Sequence, residues 1–288
     1  MFRYLFLATV LLLTSQAFAE VNLVVSIRPL QLIADSILGA NGNVRVLVPE
    51  SGSPHHYTMT PSDRLALESA DLIVYVGEEL ETELHAALGG IGRDQSVLQL
   101  LGVPAIQKRQ LQDTDRVDPH IWLHSENGMQ IAAAIRDRLI KIDPGLAQQI
   151  NANYRQLELE LGNARLRWHA QLQELPQASY AVYHDAIGYF EAEFNRQHRL
   201  VLVDDPEVQP GIRHLMNVRR RISELLPVCL FTDVTSRQNT IDTLFADHKV
   251  HQQQLDLLGD RLADAARYSQ LIDSLVNDFS SCLVGERL

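Results

Sequence analysis

The sequence predicts an α/β protein built as two α/β lobes joined by a long, rigid helix. Short apolar runs of strand length alternate with helical periodicity through the first half of the chain, and the alternation restarts in the second half. This pattern favours parallel sheets flanked by helices over a β-sandwich. Between the halves, one helical pattern runs from Pro144 to Leu175, with Ile150, Tyr154, Leu157, Leu161, Ala164, Trp168 and Leu172 spaced by three or four residues. Gly162 weakens its middle, but about 30 helical residues still extend roughly 45 Å, enough to span two lobes. Finally, histidines stand beside strand ends or turns in three distant segments: Ser53–Asp63, Asp118–Trp122 and Tyr183–Phe190. Two lobes facing each other across a cleft would bring such segments together.

Residues 1–19, MFRYLFLATVLLLTSQAFA, combine a basic Arg3, an apolar run from Tyr4 to Val10 continuing through Leu13, and the small-residue ending Ala17-Phe18-Ala19. This is the pattern of a cleavable secretory signal with Glu20 first in the mature chain. The apolar run is short for a bilayer-spanning anchor, and no later segment has the uninterrupted apolar length of a membrane helix. With no cysteine at the cleavage region to carry a lipid, the mature chain is expected to be exported without membrane insertion.

The first lobe is expected over 20–143. Val21–Ser26 and Val44–Val48 read as buried strands around a helical pattern at Pro29–Leu38, and Thr60–Ser69 as a short helix. Leu72–Val76 is a further strand closed by Gly77, Leu98 and Leu100 border another, and Asn127–Ile140 is a helix with Ile131, Ala134, Ile135 and Leu139 at apolar positions. The connecting helix takes 144–176. In the second lobe, 177–288, Tyr180–Tyr183, Leu200–Val203 and Val228–Phe231 are strand-like. Gly188–Asn195, Pro210–Leu225 and Asn239–Phe245 form the intervening helices, and Arg261–Asp278 a terminal one. No strong internal repeat is visible.

The chain carries 25 Lys and Arg against 36 Asp and Glu, a formal charge of −11, which becomes about −12 when Arg3 leaves with the signal. That balance disfavours nonspecific nucleic-acid binding and surrounds a divalent cation with an attractive field. Cys229 and Cys282 are the only cysteines. In an oxidising compartment their pairing would staple the strand near 228–231 to the final helix, two independent buried thiols being the alternative.

His55 follows Gly52-Ser53-Pro54 after a strand, where a rigid loop can present an imidazole. His56 is adjacent, and because successive side chains diverge it reads as a rim residue. His120 lies in Asp118-Pro119-His120-Ile121-Trp122, where proline restricts the approach, Ile121 and Trp122 anchor the loop, and Asp118 is placed to orient the imidazole. His124 is less persuasive, since it leads into a helix. His184 follows Ala181-Val182-Tyr183 at a strand end, with Asp185 beside it to orient an imidazole and Tyr189 and Phe190 to seal one side. Three imidazoles suit Zn²⁺, and an oxygen ligand would complete a tetrahedron. Asp256, isolated among apolar residues before Gly259, is the expected fourth ligand. A turn cap is its alternative role, and Asp233 its main rival.

At these residues the chain resembles the solute-binding proteins of bacterial zinc and manganese ABC importers, closest to the periplasmic zinc-binding branch, over residues 22–284. Gly52-Ser53-Pro54-His55 with Thr60-Pro61-Ser62-Asp63 resembles the first metal-ligand block, Asp118-Pro119-His120-Ile121-Trp122-Leu123 the second and Tyr183-His184-Asp185-Ala186-Ile187-Gly188-Tyr189-Phe190 the third. Leu255-Asp256-Leu257-Leu258-Gly259 resembles the late acidic block. The resemblance implies His55 and His120 supplied by the first lobe, His184 and Asp256 by the second, and Zn²⁺ bound as transport substrate. It also implies a disulfide between Cys229 and Cys282, a monomer, and as partners an inner-membrane ABC permease with its cytoplasmic ATPase. The sequence departs from the family where Gly102–Val117 lacks a histidine-rich loop, and where Phe231-Thr232-Asp233-Val234-Thr235 replaces a glutamate-proline turn.

Mn²⁺ or Fe²⁺ is the nearest competing cargo, which a site of two histidines and two carboxylates would suit better than three imidazoles. A secreted zinc-dependent hydrolase is a different class. The chain has no HExxH helix, and a fourth protein ligand would occupy the position an activated water needs. A structural or adhesive metalloprotein would hold zinc without passing it on.

Overall fold

A computed structural model describes residues 20–50, 52–90, 96–111 and 115–284. The expected signal, residues 1–19, lies outside the described residues.

The first lobe opens with strand β1 (Val21–Val25), helix α1 (Arg28–Leu38) and strand β2 (Gly42–Val46). Helix α2 (Pro61–Ser69), strand β3 (Leu72–Tyr75), helix α3 (Thr82–Leu88), strand β4 (Ser96–Gln99) and helix α4 (Ser125–Ile142) follow. β1 and β3 are almost wholly apolar because they lie at the centre of the sheet, whose order is β2-β1-β3-β4 with every pair parallel. α2 starts where the sequence places a capping box: the Thr60 hydroxyl accepts from Asp63 N, and the Asp63 carboxylate accepts from Thr60 N.

After a short 3₁₀ turn at Pro144–Leu146, helix α5 (Ala147–Gln173) runs past both lobes, burying Ile150, Leu157, Leu161, Ala164, Trp168 and Leu172 on one stripe. The second lobe contains β5 (Tyr180–Val182), α6 (Gly188–Glu193), β6 (Leu200–Val201), α7 (Ile212–Leu225), β7 (Cys229–Thr232), α8 (Gln238–Leu244), β8 (His251–Gln254) and α9 (Tyr268–Val284). Its sheet is again parallel, in the order β6-β5-β7-β8, so the strand order of the first sheet recurs in the second. The Cys229–Cys282 disulfide ties β7 to α9.

Several elements depart from expectation, among them β2, expected as a buried strand over Val44–Val48 but running Gly42–Val46 on the sheet edge with none of its residues buried. The terminal helix starts at Tyr268 rather than Arg261 and runs on to Val284. The preceding residues turn instead, with Leu262 N bonded to Gly259 O and the Leu262 and Ala263 carbonyls accepting from Arg28. β8 was not predicted, being the polar sequence HQQQ on a sheet edge, where main-chain pairing with β7 rather than apolar burial defines the strand. α3 was also missed, a helix of two turns with Leu84 as its one buried residue.

One apolar core runs through both lobes and α5. It joins Val25 and Ile33 of the first lobe, Leu161 and Trp168 of α5, and Phe231, Leu275 and Phe279 of the second. Polar contacts reinforce the junction: Trp168 Nε1 donates to Asp273, and Ser125 N at the start of α4 donates to Glu193 of α6 at 2.7 Å. Among the described residues, no helix is long and apolar enough to cross a membrane.

Candidate metal centre

Parallel sheets present ligand sites at the carboxyl ends of their strands. His55 follows β2, on a 3₁₀ turn begun by Pro54, and His120 lies between β4 and α4. His184 comes two residues after β5, Asp233 directly after β7, and Asp256 two residues after β8. The structure brings His55, His120 and His184 together so that one nitrogen of each lies within 4.8 Å of the others. Their ring centroids are separated by 5.6 Å (His55–His120), 5.6 Å (His120–His184) and 6.1 Å (His55–His184).

Two of the imidazoles are held by carboxylates. His120, buried, places Nδ1 2.7 Å from Asp118 Oδ1, and the same oxygen accepts from His120 N at 2.9 Å. That contact leaves Nε2 for a ligand. His184, also buried, has Nδ1 2.9 Å from Asp233 Oδ2, a charge contact lying off the hydrogen-bond line, while its Nε2 is buried without any partner. An unpaired buried nitrogen is costly unless something completes it, and a metal ion does. Asp185, the expected orienting group for His184, turns instead toward Arg109.

The electrostatics suit a cation. Burial and the adjacent imidazoles of His120 and His184 push His55 down to about 3, so it stands neutral with a lone pair available. For His184, burial alone would lower the pKa, but Asp233 outweighs it and the net direction is upward. A cavity of about 30 Å³ is lined by the three histidines with Pro54, Trp122, Asp233, Val234, Thr235, Leu257 and Leu258. The histidines also edge an interlobe cleft of about 910 Å³, whose lining includes the exposed His56 together with Glu78, Asp115, Asp204 and His214.

The acidic residues are placed differently. Asp256 is buried, and its oxygens do not join the three imidazole nitrogens within 4.8 Å of one another. Its Oδ1 accepts from Gly259 N at 2.7 Å and Asp260 N at 2.9 Å, and its Oδ2 from Arg261 N at 2.8 Å. Gly259 has φ +81°, the left-handed conformation this turn requires. Asp233 also has occupied oxygens: Oδ1 accepts from Thr235 N at 2.7 Å and Thr235 Oγ1 at 2.6 Å, and Oδ2 faces His184. His124 caps α4, its Nδ1 accepting from Glu126 N at 3.2 Å.

Sequence reasoning missed Arg109, whose Nη1 reaches Asp118 and Asp185, partners 9 and 76 residues away. No local pattern marks such a residue.

Two parallel α/β lobes on one long helix, with histidines from both meeting at strand ends, are the architecture of a bilobal metal-binding solute-binding protein. The chain belongs to the family described as ZnuA, zinc-uptake complex component A, periplasmic, which matches residues 23–282. It is 32% identical to the high-affinity zinc uptake system protein ZnuA of Yersinia pestis, covering 96% of each chain. It is 28% identical to the protein so described in Haemophilus ducreyi, covering 92% of this chain and 94% of that one. The fold is that of a solved ZnuA crystal structure, with TM-score 0.80, 23% identity, and 91% and 99% of the two chains covered. It is equally that of the periplasmic zinc-binding protein TroA of Treponema pallidum, with TM-score 0.82, 20% identity, and 92% and 99% covered.

Proposed function

We propose that this chain captures Zn²⁺ with high affinity in the periplasm and delivers it to an ABC importer, its partners being an inner-membrane permease and the cytoplasmic ATPase behind it. The observation that carries this reading is the convergence of three imidazole nitrogens, two from the first lobe and one from the second, within 4.8 Å of one another. Three nitrogen donors favour zinc over manganese, which prefers oxygen-rich sites. His55, His120 and His184 are the proposed protein ligands. Asp118 and Asp233 orient His120 and His184, and Asp256 braces the turn after β8. Capture needs no bond-making beyond coordination. Docking on the permease favours an arrangement in which the lobes no longer present all three imidazoles together, and the ion leaves.

Zinc titration of the mature chain against a chromophoric chelator tests this. One equivalent should bind more tightly than Mn²⁺ or Fe²⁺, and His55→Ala, His120→Ala and His184→Ala should each weaken zinc by more than the roughly 10–100-fold typical of losing an outer hydrogen-bond partner. Alanine variants that retain wild-type affinity would place the zinc elsewhere.

A further inference from the structure

We propose that Arg109 is a positioning residue for the metal centre, a cation joining the carboxylate that orients His120 in the first lobe to the carboxylate beside His184 in the second. This rests on the metal site proposed above. Arg109 Nη1 lies 2.5 Å from Asp118 Oδ2 and 3.3 Å from Asp185 Oδ1. Asp118 holds His120 Nδ1 through its other oxygen, and Asp185 is the residue after His184. A single guanidinium nitrogen therefore stands one carboxylate away from a ligand of the first lobe and one residue away from a ligand of the second.

Burial gives the contact its weight. The Asp118 side chain is 0% exposed and that of Asp185 9%, against 26% for Arg109. Two carboxylates so far out of water are stabilised by a nearby positive charge, and removing it takes that cation from both at once. The main chain holds the guanidinium in place: Arg109 N donates to Tyr189 Oη at 3.0 Å, Tyr189 Oη donates to Asp118 O at 3.1 Å, and Asp118 N donates to Arg109 O at 2.9 Å. The Arg109 segment is thus bound to α6 of the second lobe as well as to its own.

Gly188, the first residue of α6, supplies an independent sign. A Cβ built there would fall 1.4 Å from Arg109 Nη1 and 1.9 Å from its Cζ. The absence of a side chain at 188 makes the room the guanidinium occupies, so a change at either residue displaces the bridge. With the bridge gone, Asp118 Oδ2 loses its cation, the carboxylate holds His120 less firmly, and the lobes part more readily. Zinc should then be lost chiefly through faster dissociation, the usual place for affinity changes within one interface.

The test uses the mature chain with Zn²⁺ and Co²⁺ as probes. Affinity is measured by chelator competition, dissociation by stopped-flow chelator capture, site geometry by the Co²⁺ absorption spectrum, and folding by circular dichroism. Arg109→Gln and Gly188→Ala, the second of which leaves the arginine in the sequence but fills its place, should each weaken zinc by about tenfold or more, the lower bound for an outer partner of a metal ligand. The loss should lie mainly in the dissociation rate, and both variants should alter the Co²⁺ spectrum, which a purely structural role would leave unchanged. Arg109→Gln combined with Asp185→Asn should lose less than the two single losses together. A folded Arg109→Gln protein that loses less than about tenfold, with a wild-type Co²⁺ spectrum, overturns the proposal. If wild-type zinc binding survives in His120→Ala, the metal reading itself fails, an outcome separable from any result at Arg109.

Discussion

Asp233 and Asp256 occupy corresponding places, each just past a strand of the second sheet, yet their oxygens face different partners. Burial opposes ionisation of Asp233, but His184 and the Thr235 hydrogen bonds outweigh it and hold its carboxyl well below the usual range. Asp256 is enclosed by three backbone N–H groups. Removing a buried acceptor shared by three backbone donors costs stability, so Asp256→Ala should lower unfolding free energy by an amount on the order of 3 kcal/mol in denaturant titration. For zinc, Asp233→Asn should weaken binding by about 10–100-fold, while Asp256→Asn, where folded, should stay close to wild type. The opposite ranking would put Asp256 among the ligands. The convergence of the three histidines was legible in sequence because proline or a strand end frames each of them. For Asp256 the sequence leaves two roles open, because an isolated carboxylate before a glycine reads the same whether it faces an ion or the main-chain N–H groups of its own turn.

At the scale of elements, the apolar strands and long helices were legible and the polar or very short elements were not. β8 is visible only through its register with β7, His251 opposite Cys229 to Gln254 opposite Thr232. The shared strand order of the two sheets also escapes the sequence, since it lies in which strands pair and not in recurring residues. Glu81 lies in the turn between β3 and α3. Glu81 is 3% exposed, with Oε1 accepting from Val76 N at 3.2 Å and Oε2 from Gly77 N at 2.9 Å. Burial nonetheless raises its pKa from 4.5 to about 7. A carboxyl raised in the fold favours the protonated native state, so its contribution is fully present below the ordinary value and is lost as pH rises through about 7. The loss is on the order of 3 kcal/mol once the group is ionised. Asp35, raised to about 6 by burial, adds the same sign. His55, lowered to about 3, contributes the opposite sign between pH 5 and its ordinary value, but it does so in variant and wild type alike, so the zinc-free Glu81→Gln protein should gain melting temperature relative to wild type from pH 5 to pH 8. An unchanged slope in the variant would show that Glu81 ionises without cost to the fold.

At the scale of the molecule, the question is whether two lobes behave as two folding units. Separate lobes on a connecting helix would be expected to unfold separately, because domains in one chain commonly melt apart. Here the core is continuous: α5 buries its stripe in the same cluster that holds Leu23 and Val25 of β1 and Phe279 and Leu283 of α9. Trp122 Nε1 donates to Leu257 O at 2.8 Å, and Tyr268 Oη donates to Trp122 O at 2.6 Å, stitching the second histidine segment to the opposite lobe beside the metal centre. Unfolding one lobe would expose the face that the other and α5 cover, at about 25 cal/mol for each Å² of apolar surface. Scanning calorimetry of the zinc-free mature chain should accordingly give one transition, with calorimetric and van't Hoff enthalpies in agreement. Because the proposed site draws ligands from both lobes, zinc at about 100 times its dissociation constant should stabilise that whole transition by about 2.7 kcal/mol. Two resolved transitions, with zinc moving only one, would mean that the shared core does not couple the lobes and that the ion is held within a single one of them.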